Sequence, residues 1–330
     1  MPFIIPVFIN HAGCPQQCAF CDQRRINRQA EFSLAAVKRQ IDKYLSFSLT
    51  ASEEKELAFY GGSFTGLPGE QQEELLTVAD ELRQTGKIAR LRLSARPDHT
   101  DETALARLLR YRVDMVELGV QSLDDKVLLL AKRGHDAESV YKAAALLRAA
   151  GIAFGVQLML GLPGQDWQSL TDTVEQVIKL RPAVVRIYPL LIFAGTEFAG
   201  MWQAGELTVP ELHDAVEQAA YMAEQFAAHG IKVIRIGLQD DEGLREAGQL
   251  LAGPYHPAFG ELTASRRYRE KIENLLATRP HSGQSLLTIP KGALSKAIGH
   301  KKSNLYYFKR RYPDLEITFK EADCPDINIL

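Results

Sequence analysis

The chain has 330 residues, 46% hydrophobic and 24% charged, enough for one large domain or one large and one small; the composition excludes global disorder. The net charge of −2 conceals an asymmetry: residues 285–320 carry +6, residues 321–330 add three acids, and the first 284 carry −5. An acidic body with a basic C-terminal module points to a separate task for the module, such as holding an anionic partner. No apolar run reaches the roughly 18–20 residues of a membrane span. The N-terminus (Met1-Pro2-Phe3-Ile4-Ile5-Pro6) has no charge ahead of its apolar stretch, so a signal peptide is not expected. Four cysteines are too few for a disulfide scaffold, which fits a reducing, cytoplasmic compartment.

Short β-type runs alternate with helical patterns. Residues 3–8 read as a strand, 34–45 as an amphipathic helix, and 57–60 as a strand ending in Gly61-Gly62. A helix over 70–82, a strand over 90–94, a helix over 103–110 and a strand over 115–120 follow. The Ala/Leu-rich helix over 140–149 is closed by Gly151. Then come a strand over 152–160, a helix over 170–180 stopped by Pro182, and a strand over 184–188. These are six β–α repeats, which imply right-handed parallel crossovers. Alternation alone fits an open doubly wound sheet or a barrel. A long helix over 212–228, a possible seventh strand over 232–236 and a charged helix over 266–276 complete this part. Residues 278–284 form a polar linker with turn chemistry. Beyond it, 285–289 reads as a strand, 292–298 and 304–311 as helices, and 316–319 as a strand.

The strongest chemical signal is Cys14-Pro15-Gln16-Gln17-Cys18-Ala19-Phe20-Cys21, a C-x₃-C-x₂-C loop directly after the first strand. Thiolates this close can turn inward on one soft metal centre. A structural zinc would want a fourth ligand; His11 could serve, and Cys324 lies some 300 residues away in a tail. Three thiolates with no obvious fourth fit a 4Fe–4S cluster with one open iron. A zinc loop, or three incidental cysteines, is the plainer alternative.

This loop, with Phe20 just before the last cysteine, resembles the radical S-adenosylmethionine superfamily. The resemblance implies a 4Fe–4S cluster on Cys14, Cys18 and Cys21 whose open iron chelates S-adenosylmethionine. One electron then splits the sulfonium and gives a 5′-deoxyadenosyl radical, and a flavodoxin- or ferredoxin-type donor supplies that electron. It also implies a partial (β/α)6 barrel over residues 1–205, completed by an extension over 206–277.

In such a barrel, ligands sit at the C-terminal ends of strands. Gly61-Gly62-Ser63-Phe64-Thr65 lies at the second strand end, where glycine lets backbone approach the ligand. Ser94-Ala95-Arg96-Pro97-Asp98 ends the third. In the fourth, alternation puts Glu117, Gly119 and Gln121 on one face. A buried Glu117 contacts the cofactor or forms an ion pair with Arg96 or Arg112. In the fifth, Gln157 is a candidate ribose contact and Gly161 a close-approach position. Arg186-Ile187-Tyr188-Pro189 would close the adenine side.

Within the superfamily the text resembles the catalytic subunit of Elongator, a tRNA uridine-modifying enzyme. The shared stretches are Gly61-Gly62-Ser63-Phe64-Thr65, Ala95-Arg96-Pro97-Asp98, Glu117-Leu118-Gly119-Val120-Gln121-Ser122, Arg133-Gly134-His135, and Ile187-Tyr188-Pro189 with Gly195-Thr196-Glu197. RNA or tRNA is therefore the expected substrate. That family adds an acetyltransferase domain and a tRNA-binding extension, neither of which is expected here. Oxygen-independent coproporphyrinogen oxidases share the cysteine spacing, Gly119-Val120-Gln121-Ser122 and Gly161-Leu162-Pro163-Gly164, which makes a tetrapyrrole enzyme the alternative. A non-catalytic iron–sulfur RNA-binding protein is a third reading.

Residues 285–330 form a small basic α+β module resembling a KH domain, with Gly299-His300-Lys301-Lys302 at the helix–helix turn. Lys302 replaces the second glycine of the KH loop, while Lys301 and Lys302 offer phosphate charge. Gly299, Lys301 and Lys302 are the candidate RNA contacts, with Lys309, Arg310 and Arg311 extending the basic surface. Tyr306, Tyr307 and Phe308 could stack bases or fill the small core. Tyr255-His256 either reaches the barrel mouth as an acid or base or belongs to a loop plugging it.

Overall fold

The structure is a computed structural model that describes residues 2–9, 13–14, 18–21, 33–47, 54–238, 248–277 and 282–329. In chain order the first elements are β1 (Phe3–Phe8), α1 (Leu34–Phe47), β2 (Lys55–Tyr60), α2 (Gly69–Gln84), β3 (Arg90–Ala95), α3 (Glu102–Arg110) and β4 (Met115–Gln121). Next come α4 (Asp125–Leu130), α5 (Ala137–Ala149), β5 (Ala153–Leu160), α6 (Trp167–Leu180) and β6 (Val184–Pro189). Then follow β7 (Ile192–Phe193), α7 (Glu197–Gln203), α8 (Leu212–Ala228), β8 (Lys232–Ile236), β9 (Leu250–Ala252) and α9 (Phe259–Leu276).

The large sheet runs β1-β2-β3-β4-β5-β6-β8, with every neighbouring pair parallel. Strands follow one another in chain order, without the reversal of a doubly wound sheet. The sheet is therefore a curled half-barrel clad by helices. It has seven strands rather than the six expected, because 232–236 pairs with β6.

Period-two alternation separates the two faces of this sheet. Ile5, Val7, Leu57, Phe59, Leu91, Leu93, Val116 and Leu118 are fully buried against the helices. Between them, Ile4, Pro6, Phe8, Glu117, Gly119, Gln157 and Arg186 line the inside. One face is thus an aliphatic core, and the other mixes apolar residues with charged and amide side chains.

Helix starts are set by caps. The side chains of Asp101, Asp136 and Asp166 accept from Ala104 N, Ser139 N and Ser169 N, which satisfies first-turn donors. Helices α5 and α6 therefore begin three residues before their apolar periodicity does. Helix α9 begins at Phe259, not 266, because Phe259 anchors it in the main core. Its far end, Ile272 and Leu276, belongs to a second core with Leu287, Ile289 and Phe308.

That second core is the C-terminal module: β10 (Gly283–Pro290), α10 (Leu294–Ile298), α11 (Ser303–Arg311), β11 (Leu315–Ala322) and β12 (Asn328–Ile329). Strand β10 pairs parallel with β11 and antiparallel with β12. Of the expected linker, 278–281 lies outside the described residues, and Gly283 and Gln284 already belong to β10.

Candidate active site

All three loop cysteines open onto one cavity of about 810 Å³ inside the half-barrel. Gly61, Gly62, Glu117, Gln121 and Gln157 line the same cavity. Lys301, Lys302 and Gly299 lie apart, on the module. Cys324 is half-buried in the C-terminal segment, its Sγ 3.8 Å from Ala322 O. His11 lies outside the described residues.

The cysteine loop is seated by backbone contact. Gly13 has φ +72°, and a Cβ there would lie 2.0 Å from Ser63 O. A Cβ on Gly66 would lie 2.1 Å from Gly13 O. Two glycines therefore let the loop after β1 press on the loop after β2, as only residues without side chains can. Further along, Ala19 N donates to Ala131 O at 3.2 Å and Phe198 N to Ala19 O at 2.9 Å. The loop is thus stitched to the segments following β2, β4 and β6.

Two arginines surround the thiols. Arg133 Nη1 donates to Cys18 Sγ at 2.9 Å, and its Nη2 donates to Gly119 O. Arg96 Nη2 donates to the Arg133 carbonyl at 2.6 Å. Arg96 is itself held by Asp98 through two bonds of 2.9 Å. Burial raises the Asp98 pKa, but Arg96 outweighs it and holds the carboxyl below its ordinary range. Burial pushes the Cys14 thiol up and Cys18 adds to this, while Arg96 and Arg133 oppose it. From the sequence, Arg96 was a candidate ion-pair partner of Glu117, and Arg133 stood only in a shared motif. The signal was their place in motifs at strand ends.

Glu117 is buried and engaged on both oxygens. Arg92 Nη1 donates to Oε1 at 2.9 Å, and Arg186 reaches Oε2 at 2.5 Å and Oε1 at 3.0 Å. Arg92 also binds Glu56 at 2.6 Å. The ion-pair partners are thus Arg92 and Arg186. Arg96 pairs with Asp98 instead, and Arg112 with Asp80. Gly155 occupies the β5 position beside Glu117, where a Cβ would lie 2.7 Å from Val184 Cγ2 and 3.3 Å from Glu117 Cγ. Burial raises the Glu117 pKa, but Arg186 and Arg92 overcome it and keep the carboxylate ionised. Glu117 is therefore the anchor of the inner face.

Gln121 ends β4 at φ +70°, beside an irregularity in the β4–β5 pairing. Gly161, read as a ligand approach, instead makes room for Pro210, whose Cγ would lie 2.7 Å from a Cβ there. Tyr188 lines the cavity, as do Leu191, Phe193 and Leu238, which pack with Tyr255. His256 turns the other way, its ring 5.4 Å from that of His300.

Residues 11–177 match the radical SAM superfamily and 182–271 the Radical_SAM C-terminal domain. The chain belongs to the radical SAM superfamily. It is a radical SAM enzyme. The tRNA uridine(34) acetyltransferase of Methanocaldococcus infernus is 32% identical over 157 residues, 46% of this chain and 29% of that protein. The chain thus spans under a third of that relative. The heme chaperone HemW of Bacillus subtilis is 24% identical over 265 residues, covering 77% of this chain and 68% of HemW. Among solved structures, archaeal Methanocaldococcus infernus Elp3 superposes with a TM-score of 0.62 at 25% identity, over 82% of this chain and 64% of Elp3.

Membership of this radical SAM family implies a 4Fe–4S cluster and S-adenosylmethionine, and the residues present fit both. Among the described residues, no three His, Cys, Asp or Glu side chains converge on a single ion, whereas a cluster offers each thiolate its own iron. Arg96 Nη1, Arg133 Nε and Gln121 Oε1, on cavity-lining residues, are buried without a partner among the described residues, as groups awaiting a polar ligand are. The cavity also falls within the about 300–1,000 Å³ of small-molecule sites. Among the described residues, no helix is long and apolar enough to cross a membrane.

Proposed function

We propose that this radical SAM enzyme modifies RNA, with tRNA as the leading substrate. In this reading Cys14, Cys18 and Cys21 hold the cluster. Gly61 and Gly62 offer backbone to S-adenosylmethionine, and Gln157 and Gln121 offer side-chain amides. Glu117 acts through the arginines it fixes. When bound, the cluster supplies the electron that cleaves the sulfonium, and a flavodoxin- or ferredoxin-type protein delivers it. The chain's own residues orient the cofactor and keep water from it.

The observation that carries the reading is the single cavity lined by all three cysteines, Gly61, Gly62, Gln121 and Gln157. The RNA assignment draws on the similarity to tRNA uridine(34) acetyltransferases and on the basic module. There Lys301 and Lys302 are exposed on a cationic turn that starts at the buried Gly299, beside α11. Within α11, Phe308 fills the module core, Tyr307 bonds Glu273, and Tyr306 is 61% exposed and free to stack on a base.

The test is anaerobic reconstitution with iron and sulfide, then dithionite and S-adenosylmethionine, assayed for 5′-deoxyadenosine with and without bulk tRNA. The reading expects product that vanishes in Cys14→Ala and rises with tRNA. Stimulation by a tetrapyrrole and indifference to RNA would support the reading suggested by HemW and overturn this one.

A further inference from the structure

The turn between α10 and α11 is a built feature. Gly299 has φ +83°, and a Cβ there would lie 2.5 Å from Ser303 Oγ and 2.9 Å from Asn304 N. Lys301 and Lys302 both adopt left-handed backbone, φ 50° and 62°. Two consecutive non-glycine residues there store strain that the surroundings must hold in place. Just past the turn, Asn304 is buried at 2% exposure. Its amide donates to Ala297 O at 3.1 Å and to Ser265 O at 2.8 Å. Ser265 belongs to α9, so the exposed lysines ride on a turn bolted to the barrel extension.

The turn also touches the wall of the cavity. The His300 ring meets the His256 ring edge-on at 5.4 Å. His256 Nδ1 accepts from Ala258 N at 3.0 Å, which fixes that ring in its loop. The adjacent Tyr255 packs with Phe193, Leu191 and Leu238, all of which line the cavity. Gly253 locks the loop down: at φ +110°, a Cβ would lie 2.7 Å from Leu190 O. Contacts thus run from the lysine turn through His300 and His256 to Tyr255, which packs on residues lining the cavity.

We propose that the module turn and the cavity mouth form one composite site for single-stranded RNA. Backbone phosphates seat on the Gly299–Lys302 turn while a neighbouring nucleotide, unstacked, enters the cavity past Tyr255. This rests on the RNA reading above. A duplex cannot deliver a base into a cavity without extruding it, so the partner is an RNA loop or another unpaired segment. Inside, Phe8, Tyr44 and Tyr60 offer ring faces and edges to a planar base.

The test uses the full chain and a stem-loop RNA carrying 4-thiouridine at successive loop positions, with crosslinked peptides mapped after irradiation. The composite site expects one RNA to crosslink both to the peptide holding residues 299–302 and to one holding Tyr255 or Phe193. Crosslinks confined to either surface alone overturn the composite site while leaving RNA binding intact. No RNA binding at all is a different failure, that of the RNA reading itself. In parallel, Lys301→Ala with Lys302→Ala should weaken binding more than tenfold and reduce the slope of log affinity against log salt by about 1.4, near 0.7 per lost phosphate contact. An unchanged slope overturns the phosphate role of the turn. His256→Glu, at the seam, should weaken binding at least fivefold with melting temperature preserved; unchanged binding would exclude the track.

Discussion

Arg133 Nη1 donates to Cys18 Sγ at 2.9 Å, while the same residue's carbonyl receives Arg96 Nη2 at 2.6 Å. One arginine thus couples a candidate cluster thiolate to the segments ending β3 and β4. Partners of this kind orient a metal ligand and supply countercharge, and losing one typically costs about 10–100-fold in metal affinity or activity. Arg133→Ala should lower iron loading or 5′-deoxyadenosine formation by that factor. Arg133→Lys should recover only part of it, because an ammonium keeps the charge but not the two-pronged geometry. Iron per folded chain and product rate, measured together, check this. A fall in melting temperature alone, with both readouts intact, would reduce Arg133 to scaffolding.

Gly13 and Gly161 predict contrasting defects. An alanine at Gly13 must adopt φ +72° and drive its Cβ to 2.0 Å from Ser63 O, a backbone atom that cannot swing away. Overpacking and the unfavourable backbone together should cost about 2–4 kcal/mol, and the cysteine loop should lift off the β2 loop. Gly161→Ala, at φ +78°, instead meets Pro210 and no residue of the cysteine loop. Both variants should lose thermal stability, but only Gly13→Ala should lose iron on reconstitution. Equal iron contents would show that the contact between the two loops does not hold the thiols.

What could be read from the sequence was whatever repeats at period two or sits in a motif. Glu117, Gly119 and Gln121 were assigned to one inward face because strands alternate, and all three line the cavity. Glu117's partners could not be read the same way. Arg186 reaches it across β5, and that depends on which residues lie side by side. Proximity in sequence had suggested Arg96 or Arg112. Helices α4 and α7 and strands β7 and β9 escaped notice because elements of two to seven residues carry too little periodicity. Arg133 sits just past α4, where nothing periodic indicates direction. Helix starts were missed where an aspartate cap, rather than an apolar residue, sets the boundary.

The Glu117 network predicts a cost that one atom exposes. Glu117→Gln nearly conserves shape but removes the carboxylate facing Arg186, while Arg92 keeps only Glu56. Breaking a buried pair from one side typically costs about 3–5 kcal/mol. Removing both ends, as in Glu117→Leu with Arg186→Met, should cost less than the sum of the singles. Urea unfolding of the three variants and the wild type closes the cycle. Strict additivity would mean that the pair is not coupled in the folded chain.

His135 sets the acid limb of stability. It is 9% exposed, its Nδ1 faces Asp136 O at 3.2 Å, and its Nε2 is buried without a partner among the described residues. Burial disfavours its charged form and the nearby Arg133 adds to this, so its pKa falls from 6.5 to about 4. Between those values the unfolded chain binds a proton that the native chain does not. Stability from this group is therefore fully present above pH 6.5 and is lost as pH falls toward 4. Asp98 and Glu117, both held below their ordinary range, add nothing to the slope above pH 5. From pH 7 to pH 5 the wild type should lose about 2 kcal/mol through His135, at roughly 1.4 kcal/mol per pH unit below 6.5. His135→Gln cannot titrate and should remove that part of the slope. Urea unfolding of cluster-free protein under reducing conditions, at pH 7, 6 and 5, measures both slopes. Parallel curves for wild type and variant would mean that His135 is already charged in the folded chain, and the reading of a neutral buried ring beside Arg133 would fall with them.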